Sequence, residues 1–226
     1  EEYNSKQHEI LTGVVTRIDP RSGSAALRIG TGSEATDAIL TAGEQVKGET
    51  LVEGQRIKVY LVDVRRQSRG PQVVISRTHP GLVKRLFELE VPEIYDGVVE
   101  IRSIAREAGS RTKMAVWSND ANVDPIGACV GPRGQRVNSI VEELRGEKID
   151  IIKYSEAPAE YIAAALAPAD VIEVRMAEDG SKACRVIVPD DQLSLAIGKE
   201  GQNARLAARL VGYKIDIKPQ SFREEE

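Results

Sequence analysis

Apolar and polar residues alternate over short stretches in the first eighty residues, a pattern typical of half-buried β-strands. The clearest stretch is QRIKVYLVDV at 55–64, in which Ile57, Val59 and Leu61 are spaced two residues apart. The other strand candidates, separated by glycine-containing segments, are ILTGVVTRI (10–18), AALRI (25–29), AIL (38–40) and PQVVISR (71–77). Five short strands in about 70 residues predict a small all-β barrel of the OB type, and the alternative is another small barrel or sandwich.

After Pro80-Gly81, a pair of residues that breaks regular structure, the spacing of apolar residues predicts helices as well as strands. Leu82, Leu86 and Leu89 then fall on one face of a predicted short helix. The segments that follow are predicted as strands at 98–108 and 112–118, helices at 124–130 and 135–145, and a strand at 148–154. This order is α-β-β-α-α-β.

The same order returns in the last seventy residues. It comprises a helix at 159–167, strands at 170–177 and 182–189, helices at 191–197 and 202–211, and a final strand around KIDI at 214–217. Both units carry G-x-x-G before their last helix, and Gly198 follows Gly131 by 67 residues. The chain is therefore predicted as a barrel at 1–79, two duplicated α+β domains at 80–155 and 156–220, and an acidic tail at 221–226.

The paired glycines allow two interpretations. A single glycine at the end of a helix is commonly a C-cap, and a cap explains Gly131 and Gly198. It does not explain Gly134 and Gly201, because Ser, Thr, Asp or Asn would cap the next helix better. A second glycine lets another backbone approach and leaves the first helical N–H groups open to an anion.

Basic and acidic residues cluster in different parts of the chain, although the net charge is only −4. Basic residues concentrate in three stretches, 56–69, 102–113 and 199–214, while acidic residues gather elsewhere, including the EEE tail. Clustered cations predict a nucleic-acid surface better than the net charge does.

Several functional classes are not supported. The composition, 41% hydrophobic and 29% charged, is that of a soluble protein, and no apolar run is long enough to span a bilayer. Cys129 and Cys184 are predicted as core residues in a reducing cytoplasm. Neither a P-loop, a dinucleotide fingerprint, a catalytic triad nor a metal-ligand pattern occurs. We therefore expect no catalytic residue, no metal and no cofactor, and a protein that is not an enzyme.

The repeated unit, with G-x-x-G between its last two helices, resembles the bacterial form of the KH domain, whose loop clamps about four nucleotides of RNA backbone. The first eighty residues, with GVV, DAIL and EGQRIKVYLVDV, resemble the OB-fold of ribosomal protein S-one type. The order of these domains, with SRTHPGLVKRLFELEVPEI, IAREAGSRTKMAV and VPDDQLSLAIGKEGQNARLAARL, is similar to the NusA family of bacterial transcription factors.

This resemblance implies single-stranded, nascent RNA as ligand and a role in RNA polymerase pausing, termination and antitermination, in the cytoplasm and without a membrane. RNA polymerase and other transcription factors are the implied partners of a full-length protein, whose polymerase-binding N-terminal domain is absent from this sequence. The rival hypothesis is a protein-interaction module whose acidic segments and tail dock on polymerase or ribosomal proteins.

The loops and their helices supply the predicted RNA-binding residues: Gly131, Arg133, Gly134, Gln135, Arg136, Gly198, Lys199, Gly201, Gln202, Asn203, Arg205 and Arg209. Further candidates are Arg106, Arg111, Lys113, Arg56, Lys58, Arg65, Arg66 and Arg69. Pro132 removes a backbone donor from the first loop, and Glu200 adds a carboxylate to the second, where it would repel a phosphate or accept a base amino group. Tyr60 is the only aromatic residue between 10 and 80, so the KH domains are expected to carry more of the binding than the barrel.

Overall fold

A computed structural model describes residues 3, 6–68 and 70–222, with only the backbone of Pro71. Its contacts divide the chain into two compact units. The first contains the chain up to Glu90, the turn Ala108–Ser110 and the segment Ile140–Glu147, and the second contains Val91–Glu107, Arg111–Ser139 and the chain from Lys148 onward. Arg69 and the EEE tail lie outside the described residues.

The first unit contains the closed barrel that the alternating pattern predicts. Its strands follow the order β1-β2-β3-β5-β4 around the barrel. Their bounds are β1 Ile10–Ile18, β2 Ala25–Ile29, β3 Thr36–Leu40, β4 Arg56–Gln67 and β5 Gly70–Ser76. The five-stranded barrel is thus confirmed, with β3 and β4 longer than the apolar pattern indicated.

The barrel is filled by the residues that alternate inward along each strand. Val15, Leu27, Leu40 and Val59 have no exposed surface, and Ile75 is almost fully buried. Burial of such side chains is the main favourable term in folding a domain of this size.

Helix α1 (Pro80–Glu90) follows the barrel in the same unit. It buries Leu82, Val83, Leu86 and Phe87. Leu89, predicted on one face with Leu82 and Leu86, is 69% exposed and does not share their burial. The buried stripe passes through Phe87, whose larger ring occupies the inward position of that turn.

Arg77 connects the barrel to the Ile140–Glu147 segment of the first unit. Its side chain is 2% exposed and donates from Nε and Nη2 to the Glu49 carboxylate at 2.8 and 2.7 Å. Nη1 donates to the Lys58 carbonyl at 2.6 Å and lies 3.6 Å from the Glu143 carboxylate. A guanidinium removed from water requires such a complete set of acceptors.

Two α+β domains with the predicted order make up the second unit, except that Ala108–Ser110 and Ile140–Glu147 belong to the first unit. The first domain has α2 Pro92–Tyr95, β6 Val99–Glu107, β7 Arg111–Ser118, α3 Pro125–Val130, α4 Gln135–Glu143 and β8 Lys148–Lys153. The second has α5 Pro158–Ala165, β9 Glu173–Met176, β10 Ala183–Val188, α6 Leu193–Ile197, α7 Gln202–Val211 and β11 Lys214–Pro219. Both sheets pair their first two strands antiparallel and their last two parallel.

The two domains share one hydrophobic core. Ala105 and Ala115 from the first sheet belong to the same buried cluster as Leu206 of α7 and Val186 of the second sheet. Ser103 of β6 also donates a hydrogen bond to the Leu210 carbonyl at the end of α7, at 2.8 Å. The helices of the second domain therefore pack between two sheets, and the first sheet is covered by a neighbouring domain.

Lys113 is buried in this shared core. It has no exposed side-chain surface, and its Nζ lies 2.9 Å from the Asp150 carboxylate and 2.8 Å from the Ala167 carbonyl of the second domain. Arg111 adds two hydrogen bonds to Asp150, at 2.7 and 2.9 Å. Although burial acts to raise the pKa of Asp150, the hydrogen bonds and charges of Arg111 and Lys113 lower it overall.

The second sheet offers a matched control for this ion pair. Arg185 lies opposite Asp216 in register, as Lys113 lies opposite Asp150, and forms a 3.1 Å ion pair that is partly open to solvent.

We predict that Lys113→Met lowers the free energy of unfolding of the second unit by about 3 kcal/mol, because it leaves Asp150 with one cation fewer in a desolvated position. Arg185→Met should cost less than about 1 kcal/mol, as expected of an exposed pair. Urea unfolding followed by the emission of Trp117, the single tryptophan, measures both. Equal losses in the two variants would contradict the structural role of Lys113.

Candidate nucleic-acid interface

The two G-x-x-G loops have the same backbone conformation. Gly131 has φ 76° and ψ 172°, and Gly198 has φ 79° and ψ 169°. In each loop the N–H of the second glycine donates to the carbonyl of the first, at 3.1 Å. The repeated sequence thus encodes a repeated backbone.

Three of the four positions in each loop have positive φ. The second glycines, Gly134 and Gly201, have φ near 75°, and the residues before them, Arg133 and Glu200, both have φ 56°. Positive φ is uncommon for residues with a side chain. Arg133 and Glu200 are therefore equivalent, whereas Lys199 is equivalent to Pro132, so the two loops hold their cations at different positions.

Close approach explains why each loop begins with glycine. A Cβ on Gly198 would lie 2.7 Å from the backbone nitrogen of Asn203. A Cβ on Gly131 would lie 2.6 Å from the side chain of Arg136, the residue equivalent to Asn203 in the repeat. The end of one helix is thereby held against the beginning of the next.

Asn203 and Arg136 hold the loops from inside. Asn203 is 3% exposed, and its Nδ2 donates to the Ala196 carbonyl at 2.9 Å and to the Leu166 carbonyl at 3.0 Å. Arg136 donates from Nη1 to the Ala128 carbonyl at 2.7 Å and to the Glu93 carboxylate at 2.8 Å. Both residues, predicted to bind RNA, make contacts that fix the preceding helix and the loop.

Arg205 also has partners within the chain. Its guanidinium donates to both oxygens of Glu107 in the first domain, at 3.0 and 2.7 Å, and to the Glu200 carbonyl at 3.0 Å. The hydrogen bond from Arg205 lowers the pKa of Glu107. Sequence reasoning missed Glu107 and Glu93 as partners of these arginines, because each pair is far apart along the chain.

Arg133, Gln135, Lys199, Glu200 and Arg209 are exposed. These side chains, together with the beginnings of α4 and α7, form what we term the loop surface. In the described part of the chain, Arg133 and Lys199 make no ion pair. The helices that follow are 9 and 10 residues long, so their first N–H groups present partial positive charge beside these side chains.

The remaining predicted cations are in several settings. Lys113 is buried and Arg111 is bonded to Asp150, while Arg106 is partly buried. On β4, Arg56, Arg65 and Arg66 are exposed and Lys58 is partly so. Because a strand rises about 3.3 Å per residue, Arg56 and Arg66 lie up to about 33 Å apart along β4. The barrel cations therefore stand in two pairs on β4, one near its beginning and one near its end.

The predicted core cysteines are buried, and burial raises the pKa of the Cys129 thiol to about 12. Within the described residues, no group of three or more His, Cys, Asp and Glu side chains is arranged to hold a metal ion. Among the same residues, no helix has the length and apolar character needed to cross a membrane.

These features define a chain with an OB-like barrel and two tandem KH domains. A family model described as the NusA-like first KH domain matches residues 77–154, and one described as the NusA-like second KH domain matches residues 158–225. The chain belongs to the NusA family, as its sequence motifs predicted.

Curated relatives extend the similarity to the barrel. The transcription termination/antitermination protein NusA of Halalkalibacterium halodurans is 53% identical over 224 residues, which cover 99% of this chain and 57% of that protein. The NusA proteins of Bacillus subtilis and Thermus thermophilus are 52% and 49% identical, over 99% and 95% of this chain. The chain spans 54–58% of the length of these relatives.

We predict that Gly198→Ala destabilises the second KH domain by about 3 kcal/mol, because a side chain is strained at this φ and ψ and its Cβ meets the Asn203 backbone. The comparison variant is Gly212→Ala, at φ 75° and ψ 26° in the left-handed helical region, with nothing within 4 Å of the added Cβ. That variant should cost about 1 kcal/mol, the cost of the left-handed helical conformation. Urea unfolding compares the two, and equal costs would show that neither the ψ of Gly198 nor the close approach to Asn203 adds to the loss.

Proposed function

We propose that this chain binds single-stranded RNA, without catalysis, along the two G-x-x-G loops and the beginnings of the helices that follow them. The observation that carries the proposal is the identical backbone of the two loops, each placed before a helix of more than two turns. In KH domains such a loop clamps the backbone of about four nucleotides.

Within this surface the predicted residues divide into two groups. Arg133, Lys199, Gln135 and Arg209 are exposed and suited to contact RNA directly. Arg136, Asn203 and Arg205 hold the loops through partners within the chain, so we assign them a positioning role. Gln202 lies beside the second glycine and is partly buried.

The arrangement of Glu200 supports discrimination by the second loop. Glu200 occupies the position in the second loop that Arg133 occupies in the first. A carboxylate repels phosphate and accepts hydrogen bonds from base amino groups. We therefore expect the second loop to hold phosphate through Lys199 and to leave Glu200 for a base.

For the whole protein of which this chain covers part, we propose a role in transcription termination and antitermination. The names of its NusA relatives, which are transcription termination/antitermination proteins, support this role. Nascent RNA, RNA polymerase and other transcription factors as partners, and the cytoplasm as the compartment, are part of the same proposal. The three-domain division at 1–79, 80–155 and 156–220 stays our proposal for the functional modules.

We predict that Arg133→Ala combined with Lys199→Ala weakens binding of a labelled single-stranded RNA, measured by fluorescence anisotropy. If each cation contacts one phosphate, the slope of log affinity against log salt should lose about 1.4 in magnitude, since each contact to a single strand contributes about 0.7. Both side chains are exposed, so the fold should survive.

The control is Arg175→Ala combined with Lys182→Ala, which removes the same charge from exposed positions outside the loops and the helices that follow them. This control should leave the slope unchanged. Equal effects of the two double variants would mean that only overall charge matters, and the loop assignment would then be wrong. Capture of polymerase or ribosomal proteins that survives ribonuclease, without RNA affinity, would favour the protein-interaction module.

A further inference from the structure

The carboxylate of Glu107, at the end of β6 in the first KH domain, is held by helix α7 of the second. Arg205 donates to it from Nε at 3.0 Å and from Nη2 at 2.7 Å, so one edge of the guanidinium binds both carboxylate oxygens. The hydrogen bond from Arg205 is the largest cause that lowers the pKa of Glu107, and a hydrogen bond from Gln202 and the charge of Arg209 act in the same direction. Three side chains of α7 therefore act on one anionic group.

Gln202, Arg205 and Arg209 lie on the same face of α7. They are three and four residues apart, which places them one above the other along the helix. The sequence motifs predicted all three to bind RNA. The equivalent positions of α4, by the offset of 67 residues between the loops, hold two uncharged residues and one acidic residue: Gln135, Asn138 and Glu142. This cationic face is therefore a property of the second domain alone.

The contact between Arg205 and Glu107 has the geometry by which arginine binds phosphate. Two N–H groups of a guanidinium bind two oxygens of a carboxylate or of a phosphate in the same bidentate manner. Glu107 engages the Nε and Nη2 groups, whereas Nη1 donates to the Glu200 carbonyl in the second loop at 3.0 Å. Arg205 can thus exchange the carboxylate for a phosphate and still hold the loop through Nη1.

The ion pair is open to water, so its partners can separate. The side chain of Arg205 is 41% exposed and that of Glu107 is 24% exposed. Pairs of this kind contribute little to stability, because water solvates each partner after separation. A strand clamped by the second loop would present a neighbouring phosphate to Arg205 at a high effective concentration. A bound strand can therefore compete with the carboxylate.

We propose that Gln202, Arg205 and Arg209 form a phosphate site on α7, which Glu107 occupies in the free chain and leaves when RNA binds. The inference rests on the proposed function and adds to it a gate, by which the first KH domain controls access of RNA to the second. A strand that reaches Arg205 without the loop must displace Glu107 unaided. The gate therefore favours strands that engage the loop and the helix together.

Removing the carboxylate tests the gate through the direction of the effect. Glu107→Gln should bind a labelled single-stranded RNA about 2- to 5-fold more tightly than the unmodified chain, because the phosphate no longer displaces the carboxylate of an exposed ion pair. Fluorescence anisotropy measures both affinities.

The matched control is Glu173→Gln. Arg175 holds Glu173 through the same two nitrogens, at 3.0 and 3.2 Å, and this pair lies on β9, outside the loops and the helices that follow them. The control removes the same charge and should leave the RNA affinity unchanged. Equal tightening in the two variants would show an effect of overall charge and would overturn the gate.

Arg205→Ala, made in the unmodified chain and in Glu107→Gln, separates the gate from a brace between the domains. If the freed Arg205 binds phosphate, its loss should weaken RNA binding more in the Glu107→Gln background than in the unmodified chain. A brace predicts the opposite, since Glu107→Gln alone would then weaken binding and Arg205→Ala would add less to it. Urea unfolding followed by Trp117 emission shows that each variant is folded before affinities are compared.

The outcomes separate this inference from the proposed function. RNA binding by the unmodified chain that Glu107→Gln leaves unchanged or weakens would overturn the gate and leave the proposed function intact. Failure of both the unmodified chain and Glu107→Gln to bind any RNA would instead overturn the proposed function.

Discussion

The buried ion pair between Lys113 and Asp150 requires the two KH domains to pack together. Removing an ammonium group from water costs several kcal/mol unless oxygen atoms replace its hydration. Two oxygens do so here, and the second is the Ala167 carbonyl of the other domain. Lys113 is therefore satisfied only when the domains are packed together, which couples the charge to the shared core around Ala105, Ala115 and Leu206.

Leu166 and Ala167 link the buried Lys113 to the second G-x-x-G loop. Ala167 accepts from Lys113, and the preceding carbonyl, of Leu166, accepts from Asn203. Asn203 also holds the carbonyl at the end of α6 and lies against Gly198. The first sheet, the segment before Pro168 and the second G-x-x-G loop are thus joined by consecutive hydrogen bonds. A rigid loop loses little conformational freedom when it clamps a strand, and this favours affinity.

The strands, the helix order and the duplicated loops were predictable because they rest on local patterns. Alternation at Ile57, Val59 and Leu61 specifies a barrel strand, and two glycines three apart specify the turn. The burial of Lys113 was not predictable, because a lysine in an alternating strand normally marks the solvent face. Its face is covered by a domain that begins more than forty residues later. Arg136 and Arg205 were likewise predicted to bind RNA. Their partners, Glu93 and Glu107, come from elements far away in the sequence, so the pattern of residues could not show that these arginines are already bonded within the chain.

Duplication gave two sheets of one topology, and the side chains on equivalent faces decide which sheet is covered. Ala105 and Arg175 are equivalent in register, since each lies opposite the first member of an ion pair, Lys113 or Arg185. An alanine leaves room for a neighbouring helix, whereas Arg175, paired with Glu173, keeps its charge in water. Covering the second sheet as the first is covered would desolvate several charges without new acceptors. The exchange of small for charged residues therefore explains why the second sheet keeps its ion pairs at the surface while the first buries its own.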